Sequence, residues 1–360
     1  MRGDSPPRVQ NFRFREVKEK MPDALSLVGR RLAIFMPNSN HAHFLPTAIE
    51  ALLTQSVQPR EICILDDASS DDSARVIREY ASRHPHIRPV FLSKNRGVIR
   101  NLKEWLEQSS DDYVMFAAAD DVVLPGLVEQ SLALLAAYPQ AGLCSARSRL
   151  IDTMGKDLGQ YPSPRPLAAS GFISPELAAS TLMKYDGWFM GNTTIYRRLA
   201  LVDAGGFDEG LAGFCDGYAS RVIALKHGAC FIPADLACWR RTRDGVASLT
   251  VSQVSTAVSV ANRAVLLMTT THSSYFPANY ARRWRGRWLF STAMVCMQGL
   301  TWQDRTRGLA SLFGAWRKPQ QFSLSLLAMM PIRIAEVVLL AVMRPWDLWT
   351  VFCRRVLGRC

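Results

Sequence analysis

Hydrophobic and polar positions alternate along the chain in a strand–helix rhythm. Arg31 to Met36 is an apolar run that ends at Pro37-Asn38-Ser39-Asn40, and it predicts a first strand. Leu45, Ile49, Leu52 and Leu53 then recur at helical spacing. Glu61 to Leu65 predicts a second strand, and the Ser70-Asp71-Asp72-Ser73 cluster caps a helix that runs to about Arg83. Ile87 to Leu92 predicts a third strand. Asn95-Arg96-Gly97 is a turn, and the next helix carries Leu102, Trp105 and Leu106. The nine residues from Tyr113 to Asp121 read as a buried strand that stops abruptly at two adjacent carboxylates. Helix Leu127–Ala137 and strand Gly142–Ser145 follow. Residues 153–175, rich in Pro, Gly and Ser, read as a long loop. Gly191 to Tyr196 predicts a strand, a helix ends at Gly205-Gly206, and Asp216 opens another helix. The stretch 230–250 reads as loop, and from about Ser252 onward the pattern is helical.

Such alternation predicts an α/β fold with a mainly parallel, Rossmann-like sheet and helices on both faces. In such sheets ligands bind beyond the carboxyl ends of the strands. Residues 37–40, Asp66-Asp67, 95–97 and Asp120-Asp121 are four successive strand-end loops, so they converge on one edge. Carboxylates in that position are costly unless a charge compensates them, and a divalent cation bridged to phosphate is the usual compensation. The expected organisation is a flexible basic lead-in at 1–30, a nucleotide-binding domain at 31–250, and a helical region at 251–360.

Charge changes the picture at the far end. The net charge is +12, and residues 281–360 hold 13 Arg and Lys against 3 Asp and Glu. Six of the nine tryptophans lie there too. Cations mixed with tryptophan suit an anionic membrane surface. Phe322 to Met343 is the most apolar stretch, but Pro331, Arg333 and Glu336 interrupt it. Each charge at mid-span costs roughly 2.5–3.5 kcal/mol on insertion scales, so no transmembrane helix is expected. The amino end shows no apolar signal region. The eight cysteines form no C-x-x-C pair, which argues against a zinc site and for a reducing cytosol. The expected location is cytoplasmic, peripheral on the inner face of the membrane. The acid-lined edge argues against a nucleic-acid partner despite the pI of about 9.6.

Assembled in order, these residues resemble the family 2 glycosyltransferases, inverting enzymes of the GT-A fold. The resemblance rests on Ile34–Asn40, Ile64–Ser69, Asn95–Gly97, Ala119–Asp121, Gly205–Glu209 and Cys215-Asp216, and it covers about 31–250. It implies a nucleotide-diphosphate-sugar donor of UDP or dTDP type, and Mn²⁺ or Mg²⁺ as cofactor. It implies Asp120 as metal ligand and Asp216 as catalytic base. Pro37, Ser39, Asn40, Asp67, Asn95, Gly97 and Asp121 are the implied nucleotide contacts. Trp188, Arg240 and Arg241 are candidate acceptor contacts. The acceptor fitting a basic, tryptophan-rich tail is a glycan or a polyprenyl-diphosphate-linked sugar in surface-polysaccharide assembly.

Three departures stand out. Ala118 occupies the first acid position of the family's metal motif, and Cys215 precedes the base where Glu is common. The Gln-Arg-Trp motif of processive synthases is missing, which argues for single-sugar transfer. A nucleotidyltransferase would share the sheet but needs a Gly- and Lys-rich phosphate loop, and Asn38–Phe44 has neither residue. A catalytically inactive scaffold that docks partners through its basic tail is the alternative that Ala118 keeps open.

Overall fold

The computed structural model describes residues 31–242, 245–316 and 324–348. The expected lead-in at 1–30 and the last residues, 349–360, lie outside the described residues. The first half follows the predicted rhythm closely. Strands β1 (Leu32–Asn38), β2 (Glu61–Asp66), β3 (Ile87–Phe91) and β4 (Tyr113–Phe116) pair in parallel in the order β3-β2-β1-β4. Helices α1 (Leu45–Leu53), α2 (Ser73–Arg83) and α3 (Val98–Gln108) connect them.

Strand β1 explains why the sheet is covered on both sides. Its side chains alternate faces with a period of two. Leu32, Ile34 and Met36 join a core with α1, α2 and α4, whereas Ala33 and Phe35 join a core with α3 and the later helices. A strand apolar on both faces suits a parallel sheet sandwiched between helix layers.

The second half departs from the expectation of a mainly parallel sheet. The described elements continue as β5 (Val122–Val123), α4 (Leu127–Ala137), β6 (Leu143–Ile151), β7 (Asp157–Gln160), β8 (Gly171–Ile173), α5 (Pro175–Tyr185), β9 (Ile195–Arg197), α6 (Arg198–Asp203), α7 (Cys215–His227) and β10 (Ala229–Arg240). Strand β9 lies between β4 and β6 and runs antiparallel to both. The sheet order is β3-β2-β1-β4-β9-β6-β10-β5, so it is mixed beyond β4.

Three expectations need correction here. The Tyr113 run is a strand only to Phe116; the chain then leaves the sheet, with the Asp121 N–H donating to the Ala118 carbonyl across a turn. The 153–175 stretch contains β7 and β8, which pair with β6 and β10. The supposed loop at 230–240 is the twelve-residue strand β10. Pro233 and Asp235 hid it, because they break the apolar run where β10 shifts register against β6 near Asp235.

The remaining described elements are helical, as expected: α8 (Val246–Ser252), α9 (Val254–Thr269), α10 (Tyr280–Cys296), α11 (Trp302–Trp316), α12 (Leu324–Met329) and α13 (Ile332–Met343). Their buried faces are continuous with the core under α7: Val260, Tyr280, Trp284, Leu309 and Leu339 belong to the same apolar cluster as Phe35 and Tyr218. Arg287 and Asp347, both nearly fully buried, pair at 2.9 Å within this region. Pro331 separates α12 from α13 in the apolar stretch. Among the described residues no helix is long and apolar enough to cross a membrane. Six cysteines are described; all are free thiols and five are buried.

Candidate active site

The strand-end loops of β1, β2 and β3 meet through hydrogen bonds. Asn38 Nδ2 donates to the buried Asp66 carboxylate at 2.7 Å and to Ser69 Oγ at 3.1 Å. The Asn40 N–H donates to Ser69 Oγ, and Asn40 Oδ1 accepts the Ser70 N–H, both at 2.8 Å. Asp67 is also buried. Its two oxygens accept the N–H groups of Arg96 (2.8 Å) and Gly97 (2.9 Å), so it braces the third loop. Gly97 has φ +87°, a left-handed conformation that favours glycine. Asn95 Oδ1 accepts the same Gly97 N–H, and Asn95 Nδ2 donates to Ser39 Oγ at 3.5 Å. The sequence-predicted cluster is therefore one hydrogen-bonded unit. Each Asp67 oxygen already has one donor and keeps a second lone pair for a ligand.

The fourth loop is built differently. Strand β5 pairs antiparallel with the end of β10, Val122 against Cys238. This pairing brings Arg240 onto the acid pair. The Arg240 N–H donates to Asp121 Oδ1 at 2.8 Å, and its Nε donates to the Asp120 carbonyl at 2.7 Å. Its Nη1 reaches the carbonyls of Asp152 and Thr153, and its guanidinium covers the Phe44 ring. Arg240 is thus a buried clamp on the acid turn, not the acceptor contact that the sequence led us to expect. Trp188 is also corrected: it is fully buried in the core. Arg241 is exposed and does not line the cavity described below.

The two acids have distinct surroundings. Asp121 is buried and also accepts Asn192 Nδ2 at 2.9 Å. Burial and the neighbouring Asp120 carboxylate push its pKa well above the usual carboxylate range. Asp120 is partly exposed, and its carboxylate accepts no hydrogen bond among the described residues. Among those residues no three His, Cys, Asp or Glu side chains converge as a closed metal cage. The donor set is a free carboxylate with a second acid beside it. Magnesium-type ions are held in this way, by one or two carboxylates completed by phosphate and water.

A cavity of about 920 Å³ opens beside this turn. Pro37, Val98, Asp121 and Asp216 are among the residues that line it. Ser39, Asn40, Asp67, Asn95 and Gly97 are not in its wall; they adjoin it through Pro37 and Val98. Asp216 stands in the first turn of α7, and its Oδ1 accepts the Gly217 N–H at 2.6 Å. Burial raises its pKa, an effect opposed by that N–H and by the Arg221 charge.

Gly191 fixes how closely the opposite wall approaches. A Cβ there would lie 2.4 Å from Asp216 Oδ2. Gly191→Ala is expected to displace the Asp216 carboxylate and cut turnover about tenfold or more, since small misplacements of reacting groups are costly. Steady-state kinetics with unchanged nucleotide binding would check this.

The sequence reading passed over several residues of this site. Asn192 holds Asp121, Tyr161 packs its ring on Trp239 at 5.3 Å in the cavity wall, and Arg221 lies buried on the same helix as Asp216. Arg221 carried a readable signal, an arginine on an otherwise apolar helix face. Asn192 and Tyr161 carried none, because long-range pairing alone brings them to the acids.

Comparison with known proteins fits this geometry. Residues 33–194 match the model of glycosyl transferase family 2. Chondroitin synthase of Escherichia coli is 30% identical over 120 residues, 33% of this chain and 17% of that protein. Proteins of Mycobacterium tuberculosis and Mycobacterium bovis are 27% identical over 170 residues, 46% of this chain, and the chain spans about half their length (47%). The mannosyltransferase PcManGT from Pyrobaculum calidifontis, solved with GDP-Man and Mn²⁺, superposes with a TM-score of 0.50 at 18% identity, covering 92% of this chain and 91% of that one. S. aureus TarS 1-349 with UDP-GlcNAc superposes with a TM-score of 0.50 at 13% identity, covering 80% and 89%. The structural likenesses show a GT-A-like fold, and within it residues 33–194 match glycosyl transferase family 2.

Proposed function

We propose that this chain is a metal-dependent, inverting glycosyltransferase. It moves one sugar from a nucleoside diphosphate sugar, of UDP or dTDP type, to a hydroxyl of a glycan or lipid-linked acceptor. The observation that carries this reading is the cavity. Asp121 of the acid turn and Asp216, a carboxylate of raised basicity, line it together, and the nucleotide loops adjoin it through Pro37 and Val98.

The chemistry needs a stabilised leaving group, a deprotonated acceptor hydroxyl and an anomeric carbon held between them. The base and ribose of the donor lie against Pro37, Ser39, Asn40 and the Asp67–Gly97 brace. Asp120 would hold a Mn²⁺ or Mg²⁺ ion, and Asp121, fixed by Arg240 and Asn192, orients that carboxylate's turn. When bound, the ion supplies Lewis-acid stabilisation of the departing diphosphate. That PcManGT was solved with Mn²⁺ supports a divalent ion in this reading. Asp216 accepts the proton of the attacking hydroxyl, and attack on the face opposite the diphosphate inverts the anomeric centre.

The acceptor enters where Trp288, Ser291 and Arg344 of the helical region line the cavity. Aromatic and cationic walls suit a sugar bearing phosphate. The region from about 251 is proposed as the membrane-facing part of the protein, in keeping with its positive charge and its exposed Leu300, Trp302 and Met329. Peripheral attachment at the inner face of the membrane follows from that reading.

The test is turnover. Purified protein with Mn²⁺, a panel of UDP- and dTDP-sugars and a bacterial lipid extract is expected to release nucleoside diphosphate and label the lipid fraction. No release from any donor would replace this reading with that of an inactive scaffold.

A further inference from the structure

Taking Asp216 as the base, we infer that Arg221 is its positioning residue and links it to the C-terminal helices through Asp186 and Tyr280. Arg221 lies on α7, five residues after Asp216, and is 7% exposed. Its Nη1 donates to the Gly217 carbonyl at 2.7 Å, the peptide next to the base. Its Nε donates to the Tyr280 hydroxyl at 2.9 Å, and its Nη2 donates to Asp186 Oδ1 at 2.9 Å. Tyr280 O–H donates to the same Asp186 oxygen at 2.7 Å. The guanidinium therefore joins the first turn of α7, the end of α5 and the start of α10.

The surroundings are shaped to this one side chain. A Cβ at Gly187 would lie 2.6 Å from Arg221 Nη2, and one at Gly217 would lie 3.2 Å from Nη1. The Phe214 ring covers the guanidinium at 4.9 Å. Asp186 adopts φ +70°, a left-handed conformation uncommon for aspartate, at the point where it meets Arg221. Strain of this kind persists only where the surrounding structure imposes it.

A core-filling arginine would satisfy the same hydrogen bonds, so charge decides between the two roles. Asp216, Asp186 and Arg221 line one cavity. The groups that bear on Asp216 are Arg221 and Cys215 on α7 and Tyr196 on β9, with Asp121, Arg287 and Arg344 elsewhere on the cavity wall. Arg221 is the cation whose charge favours ionised Asp216, and Asp186 offsets part of that charge. The two partners therefore act on the base with opposite signs.

The experiment is a carbon-13 NMR titration of the full chain labelled at the aspartate carboxyls, with Asp216 assigned by the signal that Asp216→Asn removes. Arg221→Met is expected to move the Asp216 titration to higher pH. Asp186→Asn, which keeps an oxygen acceptor for Arg221 and Tyr280, is expected to move it to lower pH. Should Arg221→Met fail to fold, the Asp186→Asn arm decides alone. A titration left in place by the variants that fold, or moved in one direction by both, overturns the inference. The base assignment is judged separately by turnover of Asp216→Asn. If that variant is inactive and the titrations do not move, only the role of Arg221 falls; if it keeps wild-type turnover, the base reading falls.

Discussion

Asp216→Asn is expected to lower turnover by about 10²–10⁴-fold, the usual contribution of general acid–base catalysis, while nucleotide affinity is kept. The amide matches the carboxylate in shape, and its oxygen still accepts the Gly217 N–H that fixes the wild-type side chain. What it loses is the capacity to take a proton. The same assignment fixes the sign of the pH dependence. Burial raises the Asp216 pKa, and a base works only when deprotonated. Wild-type kcat/KM therefore falls as pH is lowered through that raised value, at a higher pH than an ordinary aspartate would give. This acid limb disappears in the residual activity of the variant. Rates measured from pH 5 to 9 check both points. A variant with more than a tenth of wild-type turnover and an unchanged acid limb would place the base elsewhere.

Asp120→Ala is expected to cost about a hundredfold or more in turnover and to remove the response to Mn²⁺. Lewis-acid stabilisation of a leaving group is worth several kcal/mol, and each 1.36 kcal/mol is tenfold in rate. The argument rests on the contrast between the two acids. Asp121 is buried and held by Arg240 and Asn192, whereas the Asp120 carboxylate has no hydrogen-bond donor among the described residues. Chelation of the wild type should reproduce the loss, and the variant should be indifferent to chelator. A variant stimulated by Mn²⁺ as strongly as the wild type would move the ion to other ligands. Ala118 sharpens this test, because the acid that stands first in the family's motif is not there to substitute.

The first half of the fold was legible because β1, β2 and β4 are built on apolar runs and its loops carry their own turn chemistry. Asn38, Asp67 and Gly97 sit at strand ends where sequence spacing alone brings them together, and they share one hydrogen-bonded unit. Strand β10 was not legible, since Pro233 and Asp235 interrupt it and its partners lie up to 116 positions away, as Val122 does from Cys238. Missing that strand misread Arg240. A buried arginine that clamps a turn and an exposed one that grips a phosphate look alike in sequence; only the pairing of β10 with β5 separates them. Trp188 was misread for a related reason, because an aromatic beside a glycine gives no sign of which way it points. Asp216 was singled out by the resemblance through Cys215-Asp216, but its approach to Gly191 is a tertiary fact.

The central claim is that one edge of this sheet binds a nucleoside diphosphate with a divalent ion. The most direct test is calorimetric titration of the wild-type chain with UDP, dTDP and GDP, each with and without Mn²⁺. The account predicts that UDP or dTDP binds, and that Mn²⁺ strengthens the binding at least tenfold. Absence of binding by all three nucleotides, with and without metal, would contradict it.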